Sequence, residues 1–95
     1  DKSSYYIGPN GHCVNSLVAD GCKIEGSVEN SILFPGVTVE AGAKVCNCVL
    51  FKDAAVRSGA QLAYIIADKR VEILPDRTLM GHSSYPIVLA KDSQV

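Results

Sequence analysis

The residues of this chain best equipped for chemistry are two histidines, His12 and His82, four cysteines, Cys13, Cys22, Cys46 and Cys48, and the arginines Arg57 and Arg70. A histidine works as a general base only beside a substrate cleft, within hydrogen-bond reach of the proton it takes. His12 follows the turn Pro9-Asn10-Gly11, and His82 lies in Met80-Gly81-His82-Ser83-Ser84, a loop-like stretch far along the chain. Cys46 and Cys48 are separated by one residue, which is neither a CxxC redox pair nor a zinc-ribbon spacing, and neither histidine stands at a zinc-finger distance from them. No GxSxG, glycine-rich phosphate loop, HExxH or paired-carboxylate spacing accompanies these residues. The cysteines read as free thiols of a reducing, cytoplasmic compartment. No catalytic, cofactor-binding or metal-ligating residue is assigned.

Composition narrows the classes further. The chain has 95 residues, a formal net charge of -1 and 47% hydrophobic residues, which fits one ordered domain and no broad electrostatic footprint for nucleic acid. No stretch approaches the ~20 apolar residues that cross a bilayer, and no basic-then-apolar leader is present. Aromatics are 6% with no Trp, whereas eleven Val, seven Ile, seven Leu and nine Ala supply the apolar volume. Such a ring-poor core suits an elongated, thin-walled fold. A chain opening on Asp1-Lys2-Ser3-Ser4, without Met, is expected to be an excised fragment.

A repeat accounts for that composition. Asn30-Ser31-Ile32-Leu33-Phe34 lies over Asn47-Cys48-Val49-Leu50-Phe51 and over Tyr64-Ile65-Ile66-Ala67-Asp68, each 17 residues on. In that register Val39 falls over Val56 and Ile73, Val45 over Leu62 and Leu79, and Gly42 over Gly59. An earlier copy begins at Asn15 and reaches Asn30 in 15 residues, giving about four copies across 15–81. Within each copy aliphatics recur at six, six and five residues, as in Leu33, Val39, Val45 and Leu50. A helix would return near 3.6 and a plain strand at 2, so neither explains the rhythm.

Hexads in threes predict an all-β, single-stranded parallel β-helix of about four coils. Three short strands and three tight corners make a coil too thin to bury anything alone. Stacking the next coil ~4.8 Å away pairs every strand and closes a continuous aliphatic column. Gly36, Gly42, Gly59 and Asp53 fall where corners need positive φ. Exposed columns predict the ion pairs Glu40–Arg57 and Asp53–Arg70, and a corner ladder of Asn15, Asn30 and Asn47. Residues 1–14 are expected to be a linker leading into the first coil, 15–81 the solenoid, and 82–95 a closing segment with a strand over Tyr85–Lys91. The opposite end, near Asn15 to Cys22, is expected to meet a further part of the protein.

The blocks Asn15-Ser16-Leu17-Val18-Ala19-Asp20-Gly21-Cys22, Ile24-Glu25-Gly26 and Val28-Glu29-Asn30-Ser31-Ile32-Leu33 resemble the C-terminal domain of bacterial ADP-glucose pyrophosphorylase (glucose-1-phosphate adenylyltransferase). The tail, with Asp68-Lys69, Arg77-Thr78-Leu79, Tyr85-Pro86 and Lys91, resembles the GlgD-type subunit more than the GlgC-type catalytic one. The resemblance spans the chain from about residue 5.

The resemblance implies a left-handed β-helix, an exception to the usual right-handed crossover. It also implies an N-terminal nucleotidyltransferase domain beyond this sequence, which would carry the ATP and Mg sites. The family forms ADP-glucose and pyrophosphate from ATP and glucose 1-phosphate in glycogen synthesis. Its β-helix domain would serve assembly with a GlgC-type subunit in a tetramer and allosteric control, without catalysing anything itself. Two alternatives remain: a hexapeptide acyltransferase binding acyl-CoA near His12 or His82, and the β-helix of another sugar-phosphate nucleotidyltransferase.

Overall fold

Residues 4–95 are described by a computed structural model, in which fifteen short strands wind into a parallel solenoid. The first tier holds β1 (Tyr6–Ile7), β2 (His12–Val14) and β3 (Leu17–Val18). The second holds β4 (Lys23–Ile24), β5 (Ser27–Glu29) and β6 (Ile32–Leu33), and the third β7 (Thr38–Val39), β8 (Lys44–Cys46) and β9 (Val49–Leu50). Above them stand β10 (Ala55–Val56), β11 (Gln61–Ala63) and β12 (Ile65–Ala67), then β13 (Glu72–Ile73), β14 (Thr78–Met80) and β15 (Ile87–Leu89). Every third strand pairs, giving sheet A (β1-β4-β7-β10-β13), sheet B (β2-β5-β8-β11-β14) and sheet C (β3-β6-β9-β12-β15).

The register is the one that the repeat predicts. Ala55 pairs with Thr38 and Glu72, Leu62 with Val45 and Leu79, and Val49 with Ile32 and Ile66, each a step of 17. The early step of 15 appears as Lys23↔Thr38, His12↔Ser27 and Leu17↔Ile32. The two missing residues are lost at one corner, Glu25-Gly26, between β4 and β5. That corner tucks under its neighbour: a Cβ on Gly26 would meet the Ala43 carbonyl oxygen at 2.4 Å and that of Glu40 at 2.7 Å. Glycine is required there by close approach, not by φ.

Alternation along each short strand sends one residue inward. Ile24, Val39, Val56 and Ile73 line sheet A, Val28, Val45 and Leu62 sheet B, and Leu33, Leu50 and Ala67 sheet C, all buried in one cluster. Each fully buried Val, Ile or Leu contributes about 1.5–3 kcal/mol. The corners adopt positive φ at Gly21, Gly36, Asp53 and Arg70 on one edge, and at Asn15, Asn30, Asn47 and Tyr64 on another.

The ends differ from expectation. Residues 6–14, read as linker, supply β1 and β2, because Ile7 stacks on Ile24 and Cys13 on Val28. Pro9-Asn10-Gly11 is therefore a corner; residues 1–3 of that stretch lie outside the described residues. At the other end, β15 extends sheet C beside β12 in parallel, and residues 93–95 add backbone bonds to Glu72 and Leu74 of sheet A. Leu79, Ile87, Leu89 and Val95 pack against the core there.

Gly26→Ala is expected to cost roughly 1–3 kcal/mol in urea unfolding, since the backbone above has no room to give. Gly8→Ala, whose Cβ would meet only side-chain atoms at 3.4 Å or more, should unfold close to the wild type.

Candidate functional site

The two histidines are not brought together. His12 stands on β2, in the first tier of sheet B, and His82 follows β14, in the last tier of the same sheet, about 19 Å away by strand spacing. His82 Nδ1 contacts Ser84 Oγ at 2.8 Å and accepts the Ser84 N–H at 3.1 Å, inside a corner lengthened to residues 81–86. Among the described residues no three His, Cys, Asp or Glu side chains converge as metal ligands.

Arg57 carries the densest polar contacts. Its Nη1 donates to Glu40 Oε2 at 3.1 Å, as the stacked columns predict, and its Nε donates to Glu72 Oε2 at 2.8 Å. Glu40 Oε1 accepts the Ser58 N–H, and Glu72 Oε1 accepts from Gln94 Nε2. The other expected pair is corrected. Arg70 binds Asp92 through Nε and Nη2, at 2.6 and 3.2 Å, rather than Asp53. Asp53 instead turns toward the space that the absent Cβ of Gly36 leaves open. Glu72 is held below the ordinary glutamate range by the Gln94 and Arg57 hydrogen bonds, and Asp92 is lowered by Arg70. These are ion pairs along the stacking axis, and each carboxylate faces its cation, so the arginines form no free anion site.

All four cysteines are free. Burial raises each thiol pKa, and Glu29 raises that of Cys46 further. A raised thiol is a poor nucleophile at neutral pH. Cys48 belongs to a ladder that the sequence reading missed. Ser31 Oγ donates to the Glu29 carbonyl and accepts the Cys48 N–H, while Ser16 Oγ donates to the Val14 carbonyl and accepts the Ser31 N–H. The signal was the column Ser16, Ser31, Cys48, next to the asparagines. Asn15 donates to Asn30 outside it, one rung of the expected asparagine column.

What distinguishes the surface is its third wall. Sheet A turns out Tyr6, Lys23, Thr38, Ala55 and Glu72, and sheet B turns out one polar column, His12, Ser27, Lys44, Gln61 and Thr78, and one mixed column, Val14, Glu29, Cys46, Ala63 and Met80. Sheet C turns out Leu17, Ile32, Val49, Ile66 and Val88, an unbroken aliphatic column. Leu17 and Val88 are 69% and 68% exposed. Beside the column Phe34 and Phe51 stack with ring centroids 4.7 Å apart. Near its far end Met80, His82, Tyr85 and Pro86 line an open depression of about 780 Å³. The outer face of sheet C is thus aliphatic in every tier.

Comparison with known proteins agrees with the repeat. Residues 5–85 match the family described as GlmU-like, C-terminal hexapeptide. The chain belongs to this hexapeptide-repeat family. It is 40% identical, over 76% of its length, to a glucose-1-phosphate adenylyltransferase of Acetivibrio thermocellus, and 40% identical over 75% of its length to one of Bradyrhizobium diazoefficiens. It is 39% identical over 96% of its length to the glycogen biosynthesis protein GlgD of Bacillus subtilis. The chain spans 17% of the first two relatives and 26% of the third. The hexapeptide solenoid therefore corresponds to a limited part of those proteins. No helix of the described residues is long and apolar enough to cross a membrane.

Two measurements check this description. In the native protein Cys22 and Cys48 should react with a thiol reagent far more slowly than in denaturant, where all four cysteines label. Depressed carboxylates stabilise the folded state above their unfolded pKa, and that stability is lost as pH falls through the folded value. Unfolding midpoints should therefore drop as pH descends below about 4.5, and Glu72→Gln should flatten that drop.

Proposed function

We propose that the chain is the C-terminal β-solenoid of a GlgD-type glucose-1-phosphate adenylyltransferase subunit, serving assembly and allosteric control in the cytoplasm without catalysing the reaction itself. The observation that carries this reading is the similarity to GlgD across 96% of the chain. The geometry supports it: polar ladders and ion pairs hold the corners, one wall is apolar, and the potential bases stand at opposite ends. The reaction itself, ATP plus glucose 1-phosphate to ADP-glucose plus pyrophosphate, belongs to a nucleotidyltransferase domain outside this sequence. ATP and Mg would bind in that domain. The assembly partner is a GlgC-type subunit, in a tetramer.

The purified 95-residue chain, given ATP, glucose 1-phosphate and Mg, is expected to form no ADP-glucose, yet to co-migrate with the GlgC-type subunit on gel filtration when the two are mixed. Measurable ADP-glucose synthesis by the chain alone would overturn the reading. So would tight acetyl-CoA binding by calorimetry, which would favour a hexapeptide acyltransferase instead.

A further inference from the structure

We infer that Asn10 is a self-modification site, whose side-chain amide is lost to attack by the Gly11 backbone nitrogen, leaving aspartate or isoaspartate in the first corner of the solenoid. The inference does not depend on the function proposed above. The chain has four asparagines, and only Asn10 is followed by glycine. Without a Cβ on the next residue, nothing hinders the approach of that nitrogen to the carboxamide carbon. The other three precede Ser16, Ser31 and Cys48, and the fold holds each of them. Asn15, Asn30 and Asn47 sit at positive φ in the corner between sheets B and C. The Ser31 N–H donates to Ser16 Oγ and the Cys48 N–H to Ser31 Oγ, so the nitrogens that would attack Asn30 and Asn47 are engaged. The Asn15 amide nitrogen, the group that would leave, donates to Asn30 Oδ1.

Asn10 is free of such ties. It is exposed, in a turn closed by one bond, from the Gly11 N–H to the Gly8 carbonyl at 2.9 Å. Farther along the same edge the corners are joined axially, the Gly59 N–H to the Ala41 carbonyl and the Asp76 N–H to that of Ser58. The corner above Asn10 is Glu25-Gly26, two residues short, so it lacks the residues that would tie Pro9 and Asn10 in the same way. Attack requires the Gly11–Gly8 bond to open, and one exposed bond of that kind slows the step about fivefold. In the reaction the Gly11 nitrogen gives up its proton and bonds to Asn10 Cγ, the Cγ–Nδ2 bond breaks, and ammonia leaves. Water then opens the cyclic imide, at Cγ to give aspartate or at the main-chain carbonyl to give isoaspartate. Isoaspartate lengthens the main chain by one carbon where the corner is tight. A Cβ on Gly11 would meet the Ile24 carbonyl oxygen at 2.6 Å and Ile7 Cγ2 at 3.0 Å. The bonds at risk flank the turn: Gly8 N–H to the Ile24 carbonyl and His12 N–H to that of Gly26.

The test is an ageing experiment. The chain is incubated near neutral pH, native and in guanidinium chloride, and tryptic peptides are fragmented to place each gain of about one mass unit on its asparagine. Isoaspartate is read separately with an isoaspartyl methyltransferase. The expected result is modification of Asn10 in the native chain within about twentyfold of its rate in denaturant, with Asn15, Asn30 and Asn47 slowed by more than that. Asn10 slowed by more than about twentyfold would overturn the inference, and so would native Asn15, Asn30 or Asn47 reacting as fast as Asn10. Asn10→Ser keeps a turn-forming residue and removes the reactive amide, so it serves as the unaged reference. Against it, the isoaspartyl form should exchange the Gly8 and His12 amides at least about tenfold faster, with Thr38 and Gln61 unchanged. Equal exchange at Gly8 and His12 in the two proteins would overturn the loosening of the corner.

Discussion

Parallel pairing of each strand with its own copy, one coil away, is the constraint from which the rest of the molecule follows. Because the coil advances by 17 residues, every side chain meets its counterpart rather than a foreign neighbour. An inward Val39 can only stack on Ile24 and Val56, and an outward Glu40 can only reach the tier above or below. The core is thus a set of stacked columns, from strands and corners alike. Columns of this narrow bore hold Val, Ile, Leu and Ala and have no room for Trp, which accounts for the ring-poor composition.

The same constraint decides where variation is allowed. Corners can shorten, as at Glu25-Gly26, or lengthen, as at residues 81–86, because a corner residue is not paired across a wall. The strands on either side keep step: Ile87 still finds Ile65 after the long corner. Polar groups also repeat along the axis. Ser31 serves as acceptor for the tier above and donor to its own turn, so a buried hydroxyl costs nothing unpaired. Arg57 does on the outside what Ser31 does within, joining Glu40 on one side and Glu72 on the other.

The solenoid, its period and its walls were legible in the sequence because a repeat multiplies each weak signal by its copies. Three kinds of detail were not. Strands β1 and β2 escaped because they carry only Ile7 and Cys13 as column residues, with Pro9-Asn10-Gly11 looking like a linker. The Arg70–Asp92 pair escaped because the lengthened corner breaks the offset of 17, so residue 92 was not aligned over residue 70. Tyr64 and Arg70 hold positive φ that neither residue type advertises, and only the stacked Asn47 and Asp53 below them explain the conformation. The apolar outer wall was present in the register as Leu17, Ile32, Val49 and Ile66, but alternation alone cannot distinguish an apolar outer wall from a core position.

Stability is built tier on tier, with the middle tiers buried from both sides and the end tiers from one. Native-state hydrogen exchange reads this tier by tier. Exchange should be slowest for amides such as Thr38, Lys44, Ala55 and Gln61, with protection falling toward β1 at one end and β15 at the other. Amides of β1 and β15 that exchange as slowly as those of the middle tiers would contradict it.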